Sequence, residues 1–289
     1  IMTGTQIPNG FDSVVPVEKV VVTARSGGQP TTIALAEPVD IGRNLRRAGE
    51  DFLADDLIAV RGSAINAAHL MACGATGIQA INAVRQARIG VIRTGNELQQ
   101  QNGKLTPGMI FDANGPFLSA AIASLNVIDA GTYACSDDPE QFSSLINEMR
   151  TTTDIILTTG GVSAGRMDFV PSALEKAGAD TLFHKVSIRP GKPLLLAKVS
   201  DGPLVFGLPG NPIAAAVGFR FFVVPALRMM QGLTPEIYSV AALTNSLRKK
   251  PGMAFFAKAR AVINANGQLN VTTLPGQESF KIKPMTEAN

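Results

Sequence analysis

The feature that most constrains this chain is an alternation that runs from about residue 87 to residue 232. Short apolar, β-branched runs are each followed by a stretch with helical spacing. Ile89–Arg93, Val127–Ala130, Asp154–Thr159, Leu194–Lys198 and Leu204–Gly207 read as strands. Gly115–Leu125, Pro139–Arg150, Phe169–Ala177 and Pro212–Met230 read as helices, with Asp138 as an N-cap and Gly178 as a stop. Strands that alternate with helices in this way predict an α/β fold. Its centre is a doubly wound, mostly parallel sheet with helices on both faces.

The flanks differ. Residues 1–54 carry β-branched runs at Val14–Val17 and Val20–Val22, separated by turn clusters, and predict an incomplete β-rich domain. Residues 55–86 predict a helical linker, with helices over Ser63–Cys73 and near Ile78–Val84. Residues 233–289 return to alternation at Ala257–Ile263, and Asn266-Gly267 marks a hairpin turn, so this stretch is read as a small β domain. The first residue is Ile1 and no charged leader precedes an apolar run, which suggests a fragment rather than a signal peptide.

Composition narrows the function classes. The chain has 289 residues, 45% of them hydrophobic and 17% charged, so it can bury a sizeable core. A net charge of +3 gives no basis for a nucleic-acid partner. No uninterrupted apolar stretch is long enough to suggest a membrane span. Cys73 and Cys135 lie far apart, which fits a reducing cytoplasm.

The chemistry is expected where strands end. Asp154–Thr159 runs into Gly160-Gly161, then Ser163, Gly165 and Asp168, before the next helix. Glycines allow close approach of a ligand, and free N–H groups at a helix start favour an anion. Gly207-Leu208-Pro209-Gly210-Asn211-Pro212 repeats the arrangement, with Asn211 as N-cap and Pro212 at the first helical position. Thr94-Gly95-Asn96-Glu97 is a third strand end on the same edge of a parallel sheet. Glu97, Asp138 and Asp168 would gather at that edge, where carboxylates beside a phosphate suit Mg2+; Asp138 is equally readable as a cap alone. In Lys185–Pro193, residues 185, 187 and 189 share one face if extended, and Lys192 follows a Pro-Gly turn. Three cations here suit an oxyanion or phosphate, and a solvated edge strand is the alternative. His69 reads as a packed or surface histidine, and His184 as facing away from the site.

Together these residues resemble the molybdopterin molybdenumtransferases, bacterial enzymes related to the E domain of gephyrin. The likeness is carried by Ile1–Gly4, Pro8–Val15, Gly42–Asp51, Thr94–Leu98, Thr159–Ser163, Lys185–Pro193 and Gly207–Pro212, in order along nearly the whole chain. The resemblance implies a homodimer whose subunits have a molybdopterin-binding α/β domain, here residues 87–232, between β-rich domains. It implies adenylylated molybdopterin and molybdate as substrates, a divalent cation such as Mg2+, insertion of molybdenum and release of AMP. By the same resemblance, Glu97 and Asp168 would be metal or molybdate-site carboxylates, with Asp138 or Asp137 a further acidic residue. Lys185, Arg189 and Lys192 would hold anionic ligand parts. Thr3 and Arg47 would approach from a β domain of the partner subunit. Three positions depart from the family pattern: Asn96 where Asp is usual, Arg166 where an acid is common, and Arg189 where Lys is usual.

Two rivals come with this reading. One is a molybdopterin-binding scaffold that has lost catalysis, for which Asn96 and Arg166 speak. The other is an enzyme that adenylylates molybdopterin, against which the flanking β modules speak.

Overall fold

The computed structural model describes residues 1–99, 104–162 and 169–289. The chain divides into two compact units, residues 1–60 with 65–80, and residues 61–64 with 81–289.

The first unit holds β1 (Val20–Ser26) and β2 (Gln29–Leu35), an antiparallel hairpin whose register is broken near Ala24, and helix α1 (Ala67–Thr76). The β-branched run Val14–Val17 forms no strand, and a single 3-10 turn over Val17–Lys19 leads into β1 instead. Helix α1 starts at a capping box. The Asn66 side chain accepts the His69 N–H at 3.1 Å, and His69 Nδ1 accepts the Asn66 N–H at 3.2 Å. His69 is therefore a half-exposed cap partner, which fits the surface alternative of the sequence reading and not the packed one. Gly77 ends the helix in the left-handed conformation. The predicted helix over Ile78–Val84 is absent, and those residues run as irregular chain.

The second unit is built on a six-stranded sheet. Its elements are β3 (Arg88–Thr94), β4 (Leu98–Gln99), β5 (Ile110–Phe111), α2 (Asn114–Ala123), β6 (Ile128–Cys135), α3 (Pro139–Met149), β7 (Ile155–Thr159), α4 (Val170–Lys176), β8 (Ala179–His184), β9 (Ile188–Arg189), β10 (Leu195–Val199), β11 (Leu204–Leu208), α5 (Pro212–Gly218) and α6 (Val224–Met230). The strand order is β6-β3-β7-β11-β10-β8. The first four strands are mutually parallel, and β10 is antiparallel to both β11 and β8. The sheet is thus mixed, with a parallel half built as predicted. Strand β8 is an addition to the sequence reading.

Side-chain alternation explains the two faces. Ile92, Ile156, Leu195 and Val205 point to one side and pack with Phe142 and Ile146 of α3 and Leu174 of α4. Ile89, Val91, Leu157 and Phe206 point to the other and pack with Leu118 and Ile122 of α2 and Ala215 and Leu227 of α5 and α6. Residues Phe219–Val223 join α5 to α6 as a π-turn, so Pro212–Met230 is one continuous helical run. That run is long and apolar enough to cross a membrane by composition, yet more than half of it is buried against the sheet, as in a core helix.

Beyond α6 come β12 (Ala242–Leu243), β13 (Ala254–Phe255), β14 (Ala259–Ile263) and β15 (Leu269–Thr273). They form a small sheet in the order β12-β15-β14, with β13 paired to β9.

The amino edge of the main sheet is held by one carboxylate. Asp154 accepts hydrogen bonds from Arg85 at 2.7 and 2.8 Å, from Arg88 at 3.1 Å and from the Arg88 N–H at 2.8 Å. The Arg85 hydrogen bonds, helped by those of Arg88, hold the Asp154 carboxyl well below the usual carboxylate range, against the opposing effect of burial. A depressed folded-state value contributes stability above the unfolded carboxylate value, and that contribution is lost as pH falls. Asp154→Asn should therefore lower stability at pH 7 by about 1–2 kcal/mol, with the gap to wild type closing progressively below about pH 4. Urea denaturation at pH 7, 4 and 3 measures both, and a gap that stayed constant with pH would refute the assignment.

Candidate functional site

In β3, β6, β7 and β11 the parallel direction puts four carboxyl ends on one edge: Thr94, Cys135, Thr159 and Leu208. Strand β8 runs parallel to β11, two places away, so its end at His184 joins the same edge. The Lys185–Pro193 loop leads from β8 to β10 there, and ligands of open α/β sheets bind at this edge.

The loops interlock through named contacts. Gly160, at φ +89°, lies so close to β3 that a Cβ would sit 2.8 Å from Thr94 Oγ1 and 2.9 Å from the Thr94 carbonyl oxygen. Thr94, 3% exposed, donates its hydroxyl to the Thr159 carbonyl at 2.9 Å. It serves as a bridge between strands beneath the rim. The Gly160 N–H donates to the Leu208 carbonyl at 3.1 Å, tying the first glycine turn to the second. Gly207 is buried, and a Cβ there would lie 2.7 Å from Val162 Cγ1, so its smallness serves packing. Pro209 is buried too, whereas Gly210 and Asn211 are exposed.

His184 is a correction to the sequence reading. Its Nε2 stands 3.1 Å from the Val162 carbonyl, directly against the glycine turn instead of facing away from it. Asn211 is the N-cap of α5 as predicted, but its side chain makes no capping bond. The Ile213 N–H is satisfied by the Ser279 carbonyl at 3.0 Å, from the C-terminal segment.

Two acidic loops meet at the β3 and β6 ends. The Asn96 N–H donates to Asp137 Oδ2 at 3.3 Å, and the Asp137 N–H donates to Asn96 Oδ1 at 3.2 Å. Asp138, next in the chain, accepts the Glu140 N–H at 2.9 Å and so caps α3. Both carboxylates act on Cys135: burial first, then Asp138 and Asp137, push its thiol up to about 11. Glu97 is exposed and folds back over Gly95, where a Cβ would meet its carboxylate at 2.7 Å. No ion pair among the described residues involves Glu97 or Asp137. Among the described residues no three His, Cys, Asp or Glu side chains gather to hold a metal. Ser163, Arg166 and Asp168 lie outside the described residues.

The cations are arranged differently from the prediction. Lys185 has φ +71°, so residues 185–189 do not form one extended face, and only Ile188–Arg189 is strand. Lys185 and Lys192 are exposed on the rim loop. Arg189 turns toward the C-terminal segment, with its guanidinium 5.7 Å from the Phe255 ring centre. There it lines a hollow of about 140 Å3 with Arg248, Lys249, Lys250 and Gln277. Sequence reasoning missed this cluster, although three consecutive cations before Pro251-Gly252 were its visible signal.

A second missed pair joins a half-buried arginine to a buried carboxylate. Arg93 at the end of β3 bonds Asp112 Oδ2 at 2.7 Å, and Asp112 Oδ1 accepts the Gly115 N–H at 2.9 Å, capping α2. In the first unit, Arg47 lines a hollow of about 540 Å3 with Arg46, Glu50 and Asp51, and Thr3 is exposed.

The tight contact at Gly160 makes a prediction. Gly160→Ala forces a left-handed alanine against Thr94 and should lower stability by about 1–3 kcal/mol. Urea unfolding reads this, and an unchanged midpoint would mean that β3 and the turn are not held as described.

Comparison with known proteins supplies the family. Residues 1–77 match the family described as the MoeA N-terminal region, domains I and II, and residues 90–229 match a probable molybdopterin binding domain. The whole chain is 34% identical to a molybdopterin molybdenumtransferase of Synechococcus elongatus, of which it covers 70%. It is 35% identical over 267 residues to molybdopterin molybdenumtransferase 2 of Mycobacterium tuberculosis, aligning 90% of this chain to 64% of that protein. The chain thus spans less than two thirds of the length of some of these relatives. A crystal structure of a molybdopterin biosynthesis MoeA protein from Pyrococcus horikosii superposes with a TM-score of 0.69 at 26% identity, over 96% of this chain and 66% of that one. Strand ends that converge on one rim, and likeness along the full length, place this chain in the molybdopterin molybdenumtransferase family of molybdenum cofactor biosynthesis.

Proposed function

We propose that this chain forms the greater part of a cytoplasmic, homodimeric enzyme that inserts molybdenum into adenylylated molybdopterin and releases AMP. The observation that carries the reading is the convergence of five strand ends on one sheet edge, with two glycine turns tied together by the Gly160 N–H and the Leu208 carbonyl. Such a rim suits a multiply negative ligand. Among the described residues, the N–H groups of Gly161 and Asn211 have no acceptor, and exposed Lys185 and Lys192 supply positive charge.

The acidic side of the rim suits a hard cation. Glu97 and Asp137 bring carboxylate oxygens on neighbouring loops, and hard oxygen donors are the chemistry that Mg2+ takes. Together with Asp168 they would hold the ion, and a cation there would offset the charge of the phosphoanhydride and of the departing AMP. Asp138 is committed to capping α3 and would act on the site only through the field of its charge. The basic hollow around Arg189 and Arg248 would take molybdate or another oxyanion. Thr3 and Arg47 would complete the site from the partner subunit's first unit. Cytoplasmic placement is supported by two free cysteines, Cys135 among them buried.

Adenylylated molybdopterin, molybdate and Mg2+ added to the protein should yield AMP and active cofactor. Glu97→Ala and Asp137→Ala should each reduce turnover by about 100-fold or more while leaving the folded state intact. Asp138→Ala should instead show its main effect as about 1 kcal/mol of lost stability. Absence of AMP release, with molybdopterin still bound, would overturn the enzymatic reading in favour of a scaffold. Asn96 favours that second reading, because it removes a charge from the acidic loop pair.

A further inference from the structure

Helix α2 begins with a residue that the proposed chemistry has not used. Asn114 is 8% exposed, and its Nδ2 donates to the Gly210 carbonyl at 2.8 Å, across 96 residues of sequence. Its Oδ1 is buried and has no hydrogen-bond partner among the described residues. A buried acceptor left unmet costs stability and offsets what the donated hydrogen bond contributes, so the fold gains little from this carboxamide. Nor does it cap the helix, because Asp112 already accepts the Gly115 N–H.

The orientation of one peptide group gives Asn114 its purpose. In a planar trans peptide the carbonyl of one residue and the N–H of the next point in opposite directions. With the Gly210 carbonyl held toward buried Asn114, the Asn211 N–H is turned the other way. Gly210 and Asn211 are both exposed, so that direction is outward, on the turn that touches Gly160. Among the described residues nothing accepts the Asn211 N–H.

We infer that Asn114 is a positioning residue for the proposed anionic ligand: its donated hydrogen bond fixes the Gly210–Asn211 peptide so that the Asn211 N–H faces the ligand. This rests on the reading of the rim as a molybdopterin site. Only a side chain with a donor at this length performs the task. A carboxylate of the same shape would set oxygen against the Gly210 carbonyl, and an isosteric leucine would leave the peptide free to rotate.

The test separates function from stability. Asn114→Leu removes the donor together with the unmet acceptor, and Gly210, an exposed residue, can turn its released carbonyl to water. Its melting temperature should be equal to or above that of wild type, while calorimetry with molybdopterin should show affinity at least 10-fold weaker. Asn114→Asp should bind at least as poorly as the leucine variant. A purely structural residue would instead lose stability and binding together, and that result, or wild-type affinity in Asn114→Leu, would overturn the inference. Should the variants fail to fold, hydrogen exchange on the wild-type protein decides. The Asn211 amide must exchange freely in the ligand-free protein and become protected with molybdopterin; protection before ligand, or none after it, overturns the inference. If wild type itself does not bind molybdopterin, it is the functional reading of the rim that fails.

Discussion

A single added carbon at residue 160 would lie within 3 Å of both the hydroxyl and the carbonyl oxygen of Thr94, so the first glycine turn can close only against bare backbone. That closeness governs the rim. Because β7 turns directly over the end of β3, the Thr94 hydroxyl reaches the Thr159 carbonyl. The Gly160 N–H reaches across to Leu208 at the end of β11. Three strand ends become one rigid ledge, and the loops that leave it inherit fixed starting positions. The ledge also needs Gly207, whose missing side chain lets Val162 sit flat on β11 while His184 holds the Val162 carbonyl from β8. Small residues here serve two ends. Some allow backbone to approach backbone, and Gly161 leaves an N–H with no acceptor among the described residues.

Charge is divided between the two edges of the sheet. At the amino edge, Asp154 is saturated by two arginines, and its charge serves to join the 85–88 segment to β7. At the carboxyl edge the charges are left open. Glu97, Asp137, Lys185 and Lys192 make no ion pair among the described residues, and Asn96 and Asp137 merely hold each other's loops in place. Only Arg93 and Asp112 are paired there among the described residues, below the surface, where they fix the start of α2 under the rim. Exposed charges such as Glu97, Lys185 and Lys192 are solvated and cost the fold little when left unpaired, in contrast to the pair beneath them.

Strands β3, β7 and β11 of the parallel half were legible because they are buried on both faces. Such strands appear as short continuous runs of β-branched residues, as in Ile155–Thr159, and they stop at glycine. Strand β8 was not legible. Asp180, Thr181 and Leu182 are all exposed on this edge strand, so no face of it carries an apolar pattern. The positions of single side chains were harder still. Asp138 was legible as the cap of α3, because Pro139 marks the first helical position, but nothing in the sequence tells that its neighbour Asp137 meets Asn96. The left-handed Lys185 defeats an argument from alternation, because one positive φ turns every later side chain. Arg93 and Asp112 stand 19 residues apart, and only the packing of α2 on β3 brings them together.

The C-terminal segment reads in sequence as a separate β module, yet its contacts tie it to the α/β core. Strand β13 pairs with β9 inside the Lys185–Pro193 loop, so Phe255 and Arg189 are set side by side by backbone register. The Ser279 carbonyl satisfies a helix N–H of α5 that Asn211 leaves open. Buried Lys258 then fixes the loop that carries Ser279, donating to the Glu278 and Lys281 carbonyls at 3.0 Å each. Each of these contacts reaches the second glycine turn or the cationic loop. The segment therefore does structural work at the rim itself. It supplies Arg248–Lys250 to the hollow around Arg189, and its Ser279 carbonyl occupies one N–H at the start of α5. Without this segment β9 would lose its partner strand and the Ile213 N–H its acceptor, so the loops above the sheet would lose their supports.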